Sequence, residues 1–312
     1  MATRVVIGSR GSQLALWQAN WVKSALEHHH PGLRVELEII KTQGDKILDV
    51  PLAKVGGKGL FVKEIEEALL DSRVDIAVHS MKDMPSELPA GLTIGAVPPR
   101  EDPKDALIAR TARGLSDLPE GAKIGTSSLR RASQLRRRRP DFVIHPLRGN
   151  LDTRLRKLET EGLDAIVLAA AGIRRLGLES RITEVLDETV MLPAVGQGAL
   201  CVEVRAADER VQELIAPLED MKTRVAVTAE RAFLHRLEGG CQVPIAGHAK
   251  VRGGSVELTG LVADLAGRRV VEDRRMGPMD RAADIGLELA EAVLSMGAGD
   301  ILKELQKESD LS

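Results

Sequence analysis

Short apolar stretches alternate with segments of helical periodicity along the first 200 residues. Apolar residues recur at helical spacing from Leu14 to Ala25 and again over residues 61–69. Helices are also predicted to begin at Ser128 and Asn150, because both residue types are good N-caps. Strand-like stretches separate these helices, at residues 4–7, 35–40, 75–78, 106–109, 123–125, 142–144 and 165–168. This order favours an α/β fold with two units, each a mostly parallel sheet covered by helices.

Two turn-rich segments divide the chain, at residues 98–103 and 193–198. We interpret them as crossings at which the chain leaves the first domain and later returns to it. Domain 1 is therefore predicted at residues 1–99 and 200–217, domain 2 at 100–199 and domain 3 at 218–312. The cleft between the first two domains is the expected ligand site.

The pattern changes from about residue 222. It predicts a helix, then a hairpin of residues 249–251 and 256–258 joined across Gly253 and Gly254, then a final helix. The apolar faces of the two helices comprise Ala226, Ala229, Phe233 and Leu237 in the first, and Ile285, Leu289, Val293 and Met296 in the second. We expect a small α+β third domain.

Composition excludes several classes of protein. The 312 residues include 44 basic and 46 acidic side chains, and a net charge of −2 argues against a dedicated nucleic-acid coat. The longest apolar stretch, residues 165–173, is far below the roughly 20 residues that span a bilayer. Two cysteines do not make a disulfide framework. We expect a cytoplasmic protein without membrane or nucleic-acid partners.

The two cysteines lie in different settings. Cys201 falls in an apolar, strand-like stretch and is predicted to be buried, whereas Cys241 follows two glycines and precedes Pro244. An open turn leaves the Cys241 sulfur room to be alkylated, to bind a metal or to act as a nucleophile. The alternative is that Cys241 is only a small residue in a turn.

Charged residues cluster where strands give way to helices. Arg10 follows the first strand, and four further arginines lie at predicted helix starts: Arg130, Arg131, Arg148 and Arg154. Guanidinium groups beside free backbone N–H groups suit a ligand that bears several carboxylates or phosphates. Asp83, with Lys82 beside it, follows a strand in the same way. Solvated surface residues are the alternative for any one of these positions.

Other basic segments carry weaker signals. The four arginines at residues 136–139 fit a solvated helix end better than a nucleic-acid site. The three histidines at residues 28–30 lack further metal ligands in the sequence. Glycines and lysines at residues 44–59 predict a mobile loop that covers the cleft. A non-enzymatic binding protein for a polyanion would also explain the arginines, but it gives no reason for Asp83 or an open Cys241.

Seven segments resemble one family closely, and in the same order along nearly the whole chain. They are residues 8–16, 54–61, 78–83, 125–131, 148–150, 193–198 and 238–241. They resemble the porphobilinogen deaminases, also called hydroxymethylbilane synthases. The region after residue 250 matches this family only in general character.

The resemblance implies an enzyme of tetrapyrrole (porphyrin, heme) biosynthesis that joins four porphobilinogen molecules head to tail, releasing ammonia each time. It also implies two domains resembling periplasmic binding proteins, a monomeric state, and a dipyrromethane cofactor bound through a thioether to Cys241. Hydrolysis then frees hydroxymethylbilane and leaves the cofactor in place.

The same resemblance assigns roles to residues. Asp83 is the expected catalytic residue, stabilising the cation left when ammonia departs and moving protons. The expected cofactor-binding residues are Cys241, Ser80, Lys82, Asp83, Thr126, Ser127, Ser128, Arg130, Arg131, Arg148 and Arg154. The expected substrate-binding residues are Arg10, Ser12, Lys54, Lys58, Arg148, Arg154 and Arg175. The arginines suit the acetate and propionate groups of porphobilinogen, and no metal site is expected.

Overall fold

The computed structural model describes residues 4–46, 62–237 and 243–310. The chain divides into two compact units. In the described part, unit 1 contains residues 4–46, 62–101 and 198–224, and unit 2 contains residues 102–197, 225–237 and 243–310. The chain passes between the units after residues 101 and 197, inside the two turn-rich segments. Unit 2 therefore combines the segments predicted as domains 2 and 3, and the three predicted domain ranges stay a prediction.

Helices and strands alternate through both units. In residues 4–101 they are β1 Arg4–Ser9, α1 Gln13–His29, β2 Arg34–Ile39, α2 Gln43–Lys46, α3 Lys63–Leu70, β3 Ile76–Ser80 and β4 Leu92–Ala96. In residues 102–197 they are β5 Asp105–Ala109, β6 Lys123–Gly125, α4 Leu129–Arg138, β7 Val143–His145, α5 Leu151–Thr160, β8 Ala165–Ala169, α6 Ala170–Arg175 and β9 Glu184–Val185. The remainder are β10 Leu200–Arg205, α7 Glu209–Ile215, α8 Met221–Leu237, β11 Ile245–Arg252, β12 Ser255–Ala263, β13 Val270–Pro278, α9 Ala282–Val293 and α10 Gly299–Asp310.

The sheets of the two units have the same plan. The unit 1 sheet has the order β2-β1-β3-β10-β4, and the unit 2 sheet has the order β7-β6-β8-β5-β9. In each, three neighbouring strands are parallel, and the fourth strand in the order is antiparallel to both of its neighbours. In unit 2 the antiparallel strand is β5, the first strand after the chain enters that unit. In unit 1 it is β10, the first strand after the chain returns to that unit. Apart from them, the sheets are parallel, as predicted.

The C-terminal part of unit 2 is a three-stranded antiparallel sheet, β11-β12-β13, with helices packed on it. Phe233 of α8 lies in its core and is fully buried. Gly253 and Gly254 join β11 to β12 with φ angles of 55° and 81°, which glycine adopts without strain. The predicted fold class, two α/β domains and a small α+β C-terminal domain, is confirmed.

Hydroxyl and amide side chains start the helices that matter for the site. Ser12 accepts a hydrogen bond from the backbone N–H of Ala15 at the start of α1, over 3.3 Å. Ser128 and Asn150 cap α4 and α5 in the same way, as the sequence predicts. The first turns of these helices are therefore fixed in place.

Some apolar residues at helical spacing lie outside the buried faces of the helices. Trp17 and Trp21 are 37% and 36% exposed, and α1 buries Gln18, Ala19, Val22 and Leu26. Met296 is 56% exposed and lies after the end of α9, in a segment where Gly297 has a φ of 103°. An apolar side chain at helical spacing thus does not identify the buried face when the residue lies at its margin.

A buried ionic network fixes the start of α4 to β5 and to the second chain crossing. Asp105 is fully buried and accepts hydrogen bonds from Arg130 over 2.7 and 3.2 Å and from Arg131 over 2.9 Å. Gln197 donates to the Asp105 carboxylate over 3.0 Å and to the carbonyl oxygen of Pro103 over 2.6 Å. One buried carboxylate therefore holds two guanidinium groups and both crossing segments of unit 2.

Burial alone would raise the pKa of Asp105, but the charges of Arg130 and Arg131 outweigh burial and lower it. Burial lowers the pKa of Arg131, and the Asp105 charge partly offsets that effect. Asp105 is therefore ionised at every pH at which the protein is normally handled.

The C-terminal sheet packs tightly against α4. Gly267, in the turn between β12 and β13, has a φ of 69°, and a Cβ atom built there would overlap the backbone oxygen of Ser133. Arg136 donates to the carbonyl oxygen of Leu265 in the same turn over 2.8 Å. The backbones of the turn and of α4 are thus packed directly against each other.

We expect Asp105→Asn to lower the free energy of unfolding by about 3–5 kcal/mol, because it leaves two buried guanidinium groups without a carboxylate. Asp141→Asn is the matched control, since Asp141 pairs with the part-exposed Arg139 and should matter less. Chemical denaturation at neutral pH measures both. The folded pKa of Asp105 lies below its ordinary value of 3.8, so its contribution is complete above that value and is lost as the pH falls through the folded pKa. Equal losses in the two variants would contradict this account.

Gly267→Ala should destabilise the protein more than Gly254→Ala. Both positions have positive φ, which costs an alanine about 1–2 kcal/mol. Only Gly267 faces a neighbouring backbone, which adds about 1–3 kcal/mol for overpacking. Denaturation midpoints of the two variants measure the difference. Identical midpoints would show that the turn moves away from α4 without cost.

Candidate functional site

Two groups of predicted site residues of unit 1 lie at one edge of its sheet. β1 and β3 are parallel neighbours, with Ile7 beside Ile76. Arg10 and Ser12 follow the end of β1, and Ser80 ends β3, so these residues share the carboxyl edge. Ser80 accepts a hydrogen bond from the Gln18 side chain over 3.0 Å. Gln18 is a part of this edge that sequence reasoning missed.

The segment after β3 carries Asp83 on a tight turn. Residues Met81–Asp83 form one turn of 3-10 helix, with Met81 buried beneath it. Lys82 and Asp83 are exposed. Within the described residues, the Asp83 carboxylate has no hydrogen-bond or ion-pair partner. This exposed carboxylate on an anchored turn is therefore available to a ligand.

The corresponding edge of unit 2 carries the second group. β6 and β7 are parallel, and residues 126–128 follow β6 while Arg148 and Gly149 follow β7. The three hydroxyls have partners inside the protein. Thr126 accepts from the N–H of Ser128 over 3.2 Å, Ser127 exchanges hydrogen bonds with the backbone of Leu147, and Ser128 caps α4. They shape the loop between β6 and α4 as well as lining it.

Arg130 and Arg131 are placed differently from the other predicted arginines. Their side chains are 5% and 7% exposed and bind Asp105 and backbone carbonyl groups. The expected ligand carboxylates would therefore share these guanidinium groups with Asp105. Two guanidinium charges against one carboxylate leave this edge with one excess positive charge. The sequence signal for Asp105 is weak, a single acidic residue opening an apolar strand.

The environment of Arg148 favours the binding of an anion. It is half-buried, and burial lowers the pKa of its guanidinium. Among the described residues it has no hydrogen-bond or ion-pair partner. Arg154 lies nearby on α5 and donates to the carbonyl oxygen of Gly149 over 2.8 Å. Arg175, on α6, is 9% exposed, and its place in the site stays a prediction.

Three predicted site residues, Lys54, Lys58 and Cys241, lie outside the described residues, as does most of the predicted loop at residues 44–59. α8 ends at Leu237, four positions before Cys241, and β11 begins at Ile245, four positions after it. Glu230 of α8 is buried and accepts hydrogen bonds from the N–H groups of Gly196 and Ala249, over 2.7 and 2.8 Å. The helix that leads to Cys241 is thus tied to the second chain crossing and to β11.

The arginine run at residues 136–139 makes contacts within unit 2. Arg137 pairs with Glu272 of β13 over 3.4 Å, Arg138 binds the carbonyl oxygen of Thr189, and Arg139 pairs with Asp141 over 2.8 Å. Arg137 and Arg138 are exposed at the end of α4, in keeping with the expected solvated helix end, while the Arg136 contact and these bonds tie the run to the rest of unit 2.

Two classes of site are absent from the described ranges. No group of three or more histidine, cysteine, aspartate or glutamate side chains there is arranged to hold a metal ion. No helix in those ranges has the length and hydropathy needed to cross a membrane.

Comparison with known proteins agrees with the motifs. Residues 5–213 match the family model "Porphobilinogen deaminase, dipyromethane cofactor binding domain", and residues 224–295 match "Porphobilinogen deaminase, C-terminal domain". A porphobilinogen deaminase of Syntrophotalea carbinolica is 59% identical over 299 residues, covering 96% of this chain and 95% of that protein. One of Syntrophobacter fumaroxidans is 56% identical over 308 residues, covering 98% and 100%.

Among solved structures, the chain resembles the periplasmic aliphatic sulphonate binding protein SsuA from Escherichia coli, with a TM-score of 0.41 and 16% identity over 75% of this chain and 70% of that one. The two family models and the relatives, which are more than half identical over nearly the full length, show that this chain belongs to the porphobilinogen deaminase family.

Proposed function

We propose that this chain joins four porphobilinogen molecules head to tail into hydroxymethylbilane, releasing ammonia at each addition, on a dipyrromethane primer bound covalently through Cys241. We infer the activity from membership of the porphobilinogen deaminase family. Within the structure, the observation that supports it is Arg148, a half-buried guanidinium group without an anionic partner in the described residues. Porphobilinogen and dipyrromethane both bear acetate and propionate groups, which match such a group.

The residues present fit a dipyrromethane cofactor. When bound, the cofactor supplies the terminal pyrrole on which the chain grows. Arg148 and Arg154 can hold its carboxylates in bidentate pairs, and Arg130 and Arg131 add one excess positive charge beside the start of α4. The first N–H groups of α4 and α5 favour anions in the same region. We assign direct carboxylate binding to Arg148 and Arg154, and mainly electrostatic support to Arg130 and Arg131.

We assign the chemistry at the substrate to Asp83. Its exposed carboxylate can accept hydrogen bonds from a pyrrole N–H and so stabilise the positive charge that develops on porphobilinogen as the amine leaves. It can also move protons to the leaving amine and from the α-carbon after coupling. Lys82, Arg10 and Ser12 at the same sheet edge would orient the substrate carboxylates. Lys54, Lys58 and Arg175 are proposed to add positive charge.

Cys241 is the cysteine proposed as the tether because Cys201 cannot reach a ligand. Cys201 is fully buried in β10, opposite His79 of β3. We further infer a monomeric, cytoplasmic enzyme, as the family resemblance implies.

Intact-mass measurement tests the tether. The protein should exceed the mass of its bare chain by two linked pyrrole units, and Cys241→Ser should remove that increment. Cys201→Ala is the matched control and should retain it. If the chain has its bare mass and does not consume porphobilinogen, the non-enzymatic binding protein would be the better description.

Asp83→Asn should keep the fold and the covalent increment and lower kcat for porphobilinogen consumption by about 100-fold or more. Asp71→Asn is the control, since Asp71 follows α3 and lies before β3, at the other end of that strand from Asp83. Steady-state rates on protein with a verified cofactor mass measure the effect. A near-normal rate for Asp83→Asn would remove Asp83 from the chemistry.

A further inference from the structure

Two glutamates and a histidine are buried together beneath the strand that leads to Asp83. Glu203 of β10 is fully buried, Glu66 of α3 is 6% exposed and His79 of β3 is 5% exposed. Nε2 of His79 lies 3.1 Å from Oε2 of Glu203. In the β3–β10 register, Cys201 lies opposite His79 and Glu203 opposite Ala77, which places His79 and Glu203 on the same face. α3 packs against both strands.

Each glutamate has an oxygen without a partner. Oε1 of Glu66 and Oε1 of Glu203 are buried, and neither has a hydrogen-bond partner in the described part of the chain. Two ionised carboxylates in this position would repel each other, and each would leave a desolvated oxygen. The single histidine cannot compensate two negative charges. A proton on one carboxyl group removes one of the two negative charges, and with it their repulsion and the larger part of the desolvation cost.

The charged groups around Glu66 do not supply another solution. His79 faces it from β3 and Glu203 from β10, while Glu67 and Lys63 lie beside it on α3. Arg205, two positions after Glu203, donates to the carbonyl oxygens of Leu69 and Val74 and pairs with Asp75 and Asp208. β4 has no titratable residue, and the one on β1, Arg4, pairs with Glu36 of β2 over 2.7 Å. Glu66 and Lys63 also line a cavity of about 380 Å³ with residues 85–89, which include Glu87. This cavity gives Glu66 a route for exchanging a proton with solvent.

We propose that Glu66 holds a proton at mildly acidic pH, and that this neutral carboxyl group beside the His79–Glu203 pair is a positioning device for the segment that carries Ser80, Lys82 and Asp83. Burial is the main cause that raises the pKa of Glu66, to about 7. The Glu203 charge raises it further, and His79 opposes the rise.

The consequence for the site follows from the chain order. His79 directly precedes Ser80, which binds Gln18, and the turn with Asp83 comes next. Loss of the proton places a second negative charge beside the His79–Glu203 pair and strains the end of β3. Because the folded pKa of Glu66 lies above its ordinary value of 4.5, its stabilising contribution is complete below that value and is lost as the pH rises through about 7.

Glu66→Gln tests the proton on Glu66, because the amide keeps the shape and a donor but cannot ionise. Glu67→Gln is the matched control, an exposed neighbour on the same helix. The infrared spectrum of the holoenzyme near pH 6 should contain a protonated-carboxyl C=O band in the wild type and in Glu67→Gln, and Glu66→Gln should lack it. The unfolding midpoint of the wild type should also fall relative to that of Glu66→Gln between pH 5 and pH 8. A wild type without the band, or a band that survives Glu66→Gln, would overturn the proposal of a proton on Glu66.

Kinetics test the positioning role separately. The ratio of kcat for Glu66→Gln to kcat for the wild type should rise several-fold from pH 6 to pH 9, while the ratio for Glu67→Gln stays constant. A ratio of variants cancels the pH dependence of groups common to both. A Glu66→Gln ratio that does not change with pH overturns the positioning role even if the infrared band is present.

Discussion

The ion pairs of Asp105 with Arg130 and Arg131 are the interaction on which the arrangement of unit 2 depends. They join three parts of the chain that are distant in sequence: the first strand after the chain enters the unit, the first turn of α4, and the second crossing through Gln197. All three parts are buried at this point. The carboxylate therefore fixes where α4 begins, and with it the loop of residues 126–128 between β6 and α4.

The same network separates the arginines into two kinds. Arg130 and Arg131 have their donors directed to Asp105 and to the carbonyl groups of Leu192 and Val167, so their geometry is set before any ligand binds. Arg148 has no such partner in the described residues, and its burial makes an incoming carboxylate favourable. The fixed positive charge at the start of α4 and the available Arg148 guanidinium group after β7 are complementary. The first attracts a polycarboxylate, and the second orients it.

Sequence periodicity predicted most strands of the two α/β sheets, though not β4 or β9, because apolar runs and N-caps are local signals. Ser128 and Asn150 illustrate this, since a cap acts over three residues. Partners distant in sequence are not local signals. Nothing near Arg130 identifies Asp105, 25 positions away, and nothing near Glu66 identifies Glu203. The strand β13 was missed for another reason. Four of its nine residues are charged and none is fully buried, because the strand alternates between half-buried and exposed positions.

Buried ionisable groups lie behind both carboxyl edges, and their composition differs between the two units. Unit 2 has two guanidinium groups on one carboxylate, whereas unit 1 has Glu203 paired with His79 and Glu66 buried beside them. Apolar side chains of similar volume would be at least as stabilising in such positions, so stability alone does not explain either cluster. Each cluster directly precedes or follows predicted site residues in the chain, with His79 next to Ser80 and Ser128 two positions before Arg130. We infer that both clusters exist to hold strand ends and helix starts in one geometry.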